Sequence, residues 1–464
     1  MRLLKVHTAL RERECRPGTG NFMASDQRVT SGRVQVDLAS FLPGLISLPE
    51  HIIRIGKEED AGHGSLGRPG DESVPLYAIH FAKEVRNSHL LILGDEDGKL
   101  TLVDTNVNHR DTIDAKPKAV KSWTAHGESI LESKWCQHDS KILTCSSDET
   151  AALWDVETSI CLATFGGHMG TVRSAADHPV DPHFFTTASR DGAIRIWDTR
   201  CSSAALSIDA QYRPFNIINQ AHSPDTVAAG NKPAFSICRD GDSLKKRQKQ
   251  SSVYPVAAAK FLPHHSNNLA IVSAGAVDGC LKTWDCRSIM AHTPGRELSP
   301  AACITPSLGW NRRPFGIASL EISNSGCFIY ATCLDNSIYM LQANNLHSTP
   351  TRLQSQSHSF LPTHFTKASI SSDDRFLAAG SSLDCVQIWD TARPDASPLL
   401  FVGHAADVTC VSWAADSIHC LASCSGDNTV RLWQPEGLLS SGPIPRTPDN
   451  IPMHADIGYM LPEV

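Results

Sequence analysis

Five tryptophans close five look-alike segments, and their spacing constrains the fold more than any other feature of the chain. Four segments read Ala151-Ala152-Leu153-Trp154-Asp155, Ile194-Arg195-Ile196-Trp197-Asp198, Leu281-Lys282-Thr283-Trp284-Asp285 and Val386-Gln387-Ile388-Trp389-Asp390. A fifth, Val430-Arg431-Leu432-Trp433, lacks only the aspartate. Each alternates apolar and polar residues, as a strand with one buried face does. Each follows a turn signal, such as Arg190-Asp191-Gly192, Val277-Asp278-Gly279 or Gly426-Asp427-Asn428. Asp before Gly or Asn suits a tight hairpin because these residues tolerate positive φ. The first interval between tryptophans is 43 residues and the last is 44. A unit of roughly that length cannot bury its apolar face alone and must stack on its neighbours.

A repeat of about 40–45 residues ending in Trp-Asp resembles the four-stranded blade of WD-repeat propellers. The wide interval between Trp284 and Trp389 holds a further blade without tryptophan, from Ser319 to Leu341. Another such blade, His89 to Asp104, precedes the first tryptophan. That makes seven. An eighth between Trp197 and Trp284 is disfavoured, because residues 211–240 offer no second strand ending in an aromatic. Residues 201–251 instead read as an outer strand plus an insertion. The expected fold is an all-β, seven-bladed WD-repeat β-propeller over 45–435, with short disordered termini at 1–44 and 436–464. Blade seven lacks a strong fourth strand, and an open propeller leaves a free sheet edge. Leu45–Ile55 has the apolar content to close it from the N-terminal side, with Pro49 tolerable at an outer edge.

Composition removes several functions. The 42 basic and 49 acidic residues leave a formal charge of −7, so no broad basic field exists for sequence-independent or direct sequence-specific nucleic-acid binding. The amino-terminal stretch is charged by Arg11–Glu14 and does not read as a secretory signal. No run approaches the ~18 apolar residues of a spanning helix, so no membrane is expected. Fifteen cysteines without Cys-x-x-Cys pairs read as reduced core thiols, not as a metal site. No cofactor is expected either, since no phosphate-cradling glycine loop is present.

Three sets of residues suggest a hydrogen-bond chain within blades: His126, Asp148, Thr144 and Trp154; His168, Asp191, Thr187 and Trp197; His404, Asp427, Ser423 and Trp433. His, Asp and a hydroxyl also make a nucleophilic triad. The same set three times, each with a tryptophan donor, argues for buried groups satisfying one another. No catalytic residue is therefore assigned.

Blades three and four carry Arg two positions after the Trp-Asp pair: Trp197-Asp198-Thr199-Arg200 and Trp284-Asp285-Cys286-Arg287. The fold does not demand these arginines, which follow the strand end into a loop, where a guanidinium fork can reach a partner's carboxylates. Two exposed arginines in solvated loops are the bland alternative. Two adjacent Trp-Asp-x-Arg boxes resemble the signature of substrate receptors of cullin-4 RING ubiquitin ligases. Ser273-Ala-Gly-Ala-Val-Asp-Gly279, Ala331–Met340 and Ser371–Ser382 extend the likeness to the denticleless family, over roughly residues 45–435. The resemblance implies docking of the boxes on the adaptor damage-specific DNA-binding protein 1, and through it on cullin-4 and a RING subunit. It also implies capture of PCNA-bound protein substrates for proteasomal degradation during replication and after DNA damage. Many relatives add a long C-terminal extension, some with a clamp-binding Gln-x-x-Ile motif. The tail from Ser441 to Val464 has no such motif, so either direct clamp binding is not expected of this chain or the sequence is shorter than the whole gene product.

Substrate reading is expected on the face opposite the Trp-Asp ends, with Glu128, Arg190 and Asp407 as candidates against ordinary surface charge. The run Lys245-Lys-Arg-Gln-Lys249 reads equally as a nuclear import signal or as a solvated charge run. The expected location is the nucleus, with some protein in the cytoplasm. A histone- or chromatin-binding scaffold is the alternative function, since acidic propellers can receive basic tails.

Overall fold

The computed structural model describes residues 45–46, 52–54, 74–105, 118–200, 212, 214–223, 253–263, 270–285, 300–306, 314–346, 348–353, 360–416 and 420–435. The chain begins with two short strands, β1 (Leu45–Ile46) and β2 (Ile52–Arg54). Blade one comprises β3 (Leu76–Phe81), β4 (Leu90–Asp95), β5 (Lys99–Asp104) and β6 (Lys118–Thr124). Blade two comprises β7 (Ile130–Cys136), β8 (Lys141–Ser146), β9 (Ala151–Asp155) and β10 (Cys161–Phe165). Blade three follows as β11 (Val172–Asp177), β12 (Phe184–Ser189), β13 (Ile194–Asp198) and β14 (Asn216–Ile218). Blade four is β15 (Val256–Leu262), β16 (Ala270–Gly275), β17 (Leu281–Asp285) and β18 (Ala302–Ile304). Blade five is β19 (Ile317–Ile322), β20 (Phe328–Cys333), β21 (Ser337–Gln342) and β22 (Thr351–Leu353). Blade six is β23 (Ala368–Ile370), β24 (Phe376–Gly380), β25 (Cys385–Asp390) and β26 (Leu399–Val402). Blade seven contributes β27 (Val408–Trp413), β28 (Leu421–Ser425) and β29 (Thr429–Pro435).

Six sheets are four-stranded antiparallel meanders and the seventh is antiparallel with its outer edge supplied by β1 and β2, so the expected seven-bladed propeller is the observed one. Between blades three and four the chain adds only β14, which pairs with β13, and no eighth sheet is found among the described residues. Blade seven is closed from the N-terminal side, by two pieces instead of one strand. Leu45 and Ile46 pair with Pro435 and Gln434, and Ile52–Arg54 pair with Arg431, Val430 and Thr429. The outer edge left by β29 is thus covered without a long continuous strand.

Each cleft between neighbouring blades holds its own apolar cluster, seven in all among the described residues. The cluster that seals the ring joins Leu76, Ile79 and Leu91 of blade one to Cys410, Ala422 and Val430 of blade seven. Two hydrogen bonds reinforce it: Phe81 N–H donates to Ser412 Oγ at 3.0 Å, and Thr409 Oγ1 to the Leu76 carbonyl at 2.8 Å. Each repeated tryptophan packs against the preceding blade; Trp197 joins Phe165 and Leu153, and Trp284 joins Ile194 and Ile196. The hairpin following each second strand turns through one left-handed residue: Gly98, Glu149, Gly192, Gly279, Asn336, Asp384 and Asn428. Only blade two places a long side chain there.

Candidate functional site

The ends of the strands define two faces. The hairpins bearing Asp148, Asp191, Asp278 and Asp427 lie on the upper face, together with the loops that lead into each innermost strand. The Trp-Asp ends lie at the other pole, since Asp155 pairs with Lys141, at the opposite end of β8 from Ser146.

Inside the blades, the three hydrogen-bond sets form as expected. His126 Nδ1 lies 2.8 Å from Asp148 Oδ2 and Nε2 lies 2.7 Å from Thr144 Oγ1, to which Trp154 Nε1–H donates at 3.1 Å. Blade three repeats this at 2.9, 2.8 and 2.9 Å with His168, Asp191, Thr187 and Trp197. Blade seven does so at 3.0, 2.7 and 2.9 Å with His404, Asp427, Ser423 and Trp433. A fourth set was not evident in the sequence. His222 meets Asp278 at 2.8 Å and Ser273 at 2.9 Å, and Trp284 donates to Ser273 at 2.8 Å. Its histidine precedes its aspartate by 56 positions, against 22 or 23 in the other three sets.

Burial alone would raise the aspartates, but hydrogen bonds from His126 and Thr150 hold Asp148 at about 2. His168 and the Met169 amide likewise hold Asp191 at about 2. Burial pushes His168 below its ordinary value, so the ring is neutral, donating from Nδ1 and accepting at Nε2. The hydroxyls of Thr144, Thr187, Ser273 and Ser423 sit on residues with 0% exposure, where no substrate can reach them. These sets hold blades together.

The channel along the disc axis carries a second polar group. Glu132 is buried, with Lys367 Nζ at 3.1 Å and Lys134 Nζ at 3.5 Å. Burial opposes its charge, yet the two lysines outweigh it and keep the carboxylate below its ordinary value. His80 is driven well below its usual range by burial and then by Lys134 and Lys367. Lys260 pairs with Glu321 and Lys83 with Asp177, at 2.8 and 2.6 Å. The Glu132–Lys367 pair joins blades two and six, Lys83–Asp177 joins blades one and three, and Lys260–Glu321 joins neighbouring blades four and five. Among the described residues no group of three or more His, Cys, Asp or Glu is arranged to hold a metal ion. No described helix is long and apolar enough to cross a membrane.

At the lower rim, Asp198 ends β13 and its Oδ1 accepts both the backbone N–H and Nε–H of Arg200 at 3.0 Å. The Arg200 Nη2 group also reaches Asp181 at 3.1 Å, and its guanidinium lies 5.0 Å from the Phe184 ring centre. Half of the side chain stays exposed, at 50%. The fork expected to reach outward is therefore held by carboxylates of its own blade. Trp284 is buried and Asp285 ends β17, while Arg287 lies outside the described residues. Blade six supplies a rim arginine that the two-residue spacing overlooked. Arg393, three positions after Asp390, donates to it at 3.2 Å and keeps a side-chain exposure of 42%.

On the upper face, Glu128, Arg190 and Asp407 are all exposed but occupy separate loops. Arg190 lies near Arg173 and His364 at the channel mouth. Arg173 donates across the axis to the His364 carbonyl, and its guanidinium sits 5.9 Å from the Phe365 ring centre. Phe365 in turn lies 5.4 Å from Tyr77. The run Lys245–Lys249 lies outside the described residues.

The family described as WD domain, G-beta repeat matches residues 117–155, 159–198 and 397–434. The human Denticleless protein homolog is 30% identical over 384 residues, covering 82% of this chain and 48% of its own length. The chicken (Gallus gallus) Denticleless protein homolog is 32% identical over 401 residues, covering 84% and 51%. Protein lethal(2)denticleless of Drosophila melanogaster is 29% identical over 370 residues, covering 78% and 44%. The chain spans about half the length of the curated relatives it matches.

Proposed function

The chain is a WD-repeat β-propeller related to the denticleless proteins, and from that premise we propose that it is the substrate-receptor subunit of a cullin-4 RING ubiquitin ligase. It acts as a rigid two-faced platform and carries no catalytic residue of its own. The lower rim docks on the damage-specific DNA-binding protein 1 adaptor through Trp197-Asp198-Thr199-Arg200 and Trp284-Asp285-Cys286-Arg287. The upper face takes PCNA-bound replication and cell-cycle regulators, in the nucleus, for degradation.

The observation that supports the docking step most is the posture of Arg200. Its guanidinium is fixed by Asp198 and Asp181 and still half exposed, so little conformational freedom remains to be lost on binding. A side chain held in one rotamer at a rim, with unspent N–H donors, suits carbonyl and carboxylate acceptors on a partner.

Exposed Glu96, Asp97, Glu128 and Glu149 on the upper face of blades one and two give a second reading, a chromatin scaffold receiving basic tails, its own footing. Affinity purification of the tagged chain from dividing cells separates the two. Recovery of the adaptor and cullin-4 supports the receptor; histone chaperone subunits without the adaptor would make the scaffold the correct reading.

A further inference from the structure

The upper face is divided by chemistry. Blades one and two expose carboxylates there, whereas blades three to six expose Met169, Val253, Val277, Phe315, Phe365 and Leu383. In two places, loops of neighbouring blades that carry these residues touch. A side chain added at Gly192, in the hairpin of blade three, would meet Val253; one at Gly279, in that of blade four, would meet the Phe315 carbonyl. Large apolar side chains left exposed together on one part of a face mark a place where another molecule sits.

Beside this crescent lies a pair of cations. Arg173 is half-buried at the channel mouth and Arg190 is exposed next to it. Among the described residues neither has a carboxylate partner, unlike Arg200 or Arg393 on the lower rim. Burial, and then Arg190, press Arg173 below its ordinary value. Burial, and then both arginines, do the same to His364. Two guanidiniums that repel one another in a partly desolvated place form a site whose missing component is negative. Arg173 is held against His364 and Phe365, so its remaining N–H groups are preorganised.

We propose that the channel mouth and the apolar crescent form one recognition surface for an extended polypeptide segment, in which an aspartate or glutamate carboxylate meets Arg173 and Arg190 while flanking apolar side chains cover Phe365, Phe315 and Met169. The bearer of that segment is a substrate only if the receptor reading holds; the surface itself does not depend on it. Of the three upper-face candidates, Arg190 belongs to this surface, while Glu128 and Asp407 lie outside it.

The test selects random peptides of about twelve residues, displayed on phage, against the full chain. The winners are then synthesised and titrated by fluorescence anisotropy. Winners carry Asp or Glu beside aromatic or branched apolar residues, and exchanging that acid for its amide weakens binding at least about tenfold. Arg190→Ala, at an exposed position, weakens it by a similar factor, whereas Glu128→Ala and Asp407→Ala stay within about twofold. Met169→Ser combined with Phe315→Ser also weakens binding while the melting curve stays in place, which separates recognition from folding. Winners indifferent to Arg190, a consensus dominated by lysine and arginine, or no saturable peptide at all would each overturn the proposal. Adaptor recovery is scored on the same proteins. If the unsubstituted chain fails to recover the adaptor, the receptor reading falls and the peptide result stands unaffected.

Discussion

Blades six and seven carry the same buried tryptophan on the same strand of the meander and hold it in different ways. In blade seven, Trp433 donates to Ser423, ten positions earlier, and the chain continues through His404 to Asp427. In blade six the matching positions before Trp389 are Ala379 and Leu383, so neither the hydroxyl nor the carboxylate exists. Phe360 packs edge-on against Trp389, with 5.2 Å between ring centres. Trp433 also has an aromatic neighbour, Phe401 of the preceding blade, at 5.3 Å between ring centres, so both tryptophans are clamped by aromatic packing and blade seven adds the polar chain to it. The difference explains why His, Asp and hydroxyl can recur four times without chemistry. They reinforce a blade that aromatic packing already holds.

The largest expected effect comes from removing what both kinds of blade depend on, the closed ring. Deleting residues 45–55 strips β1 and β2 from β29, and a chain without them is expected to lose its single cooperative transition in a urea melt followed by tryptophan fluorescence. An unchanged transition would mean that closure is dispensable.

Within the ring, Phe360→Ala should destabilise by about 3–5 kcal/mol, since it empties a fully buried site. His404→Ala should remove about 1–3 kcal/mol, because it leaves Ser423 and Asp427 short of a partner. Chemical denaturation of both variants measures the contrast, and equal losses would erase the distinction between aromatic packing and its polar reinforcement.

Acid sharpens the same comparison. Asp148 and Asp191 titrate at about 2 in the folded protein, below the ordinary 3.8. Their folded values are depressed, so their stabilisation is fully present above the unfolded value and lost as pH falls from about 4 through about 2. Each contributes at most about 2 kcal/mol, less after screening by the solvent that reaches these carboxylates. The triple change Asp148→Asn, Asp191→Asn and Asp427→Asn should flatten the fall in melting temperature across that window. Blade six, with Leu383 at the matching position, makes no such contribution.

A smaller effect, of opposite sign, is expected at Glu149, which holds φ at 68° where the matching residues of blades one, three and four are glycine. Glu149→Gly should stabilise by up to about 1 kcal/mol, as left-handed backbone is free of penalty only in glycine. A calorimetric melt checks it.

Much of this architecture was legible because it is local. The strand, hairpin and tryptophan of the five tryptophan-bearing blades fall within one window of about 25 residues, and so do His126, His168 and His404 with their aspartates. His222 escaped because 56 positions separate it from Asp278, although Ala221 precedes it as Ala125 precedes His126. The spacing of Ser273 and Trp284, one residue longer than in the other sets, was a signal that could have prompted a search for it. The channel mouth could not be read at all, since Arg173 and His364 are 191 positions apart and meet only because the ring closes. Arg393 was missed for a plainer reason, one residue of offset in a loop whose aspartate still reaches it.

On the proposed reading, the lower rim is a docking surface whose arginines the fold itself does not need. Purified adaptor titrated against Arg200→Ala with Arg287→Ala, followed by interferometry, tests this most directly, with Arg393→Ala as the control on the same face. The double variant is expected to bind at least about thirtyfold more weakly, with its melting curve unmoved and Arg393→Ala binding as the unsubstituted chain does. A folded double variant that binds the adaptor at full strength would contradict the account.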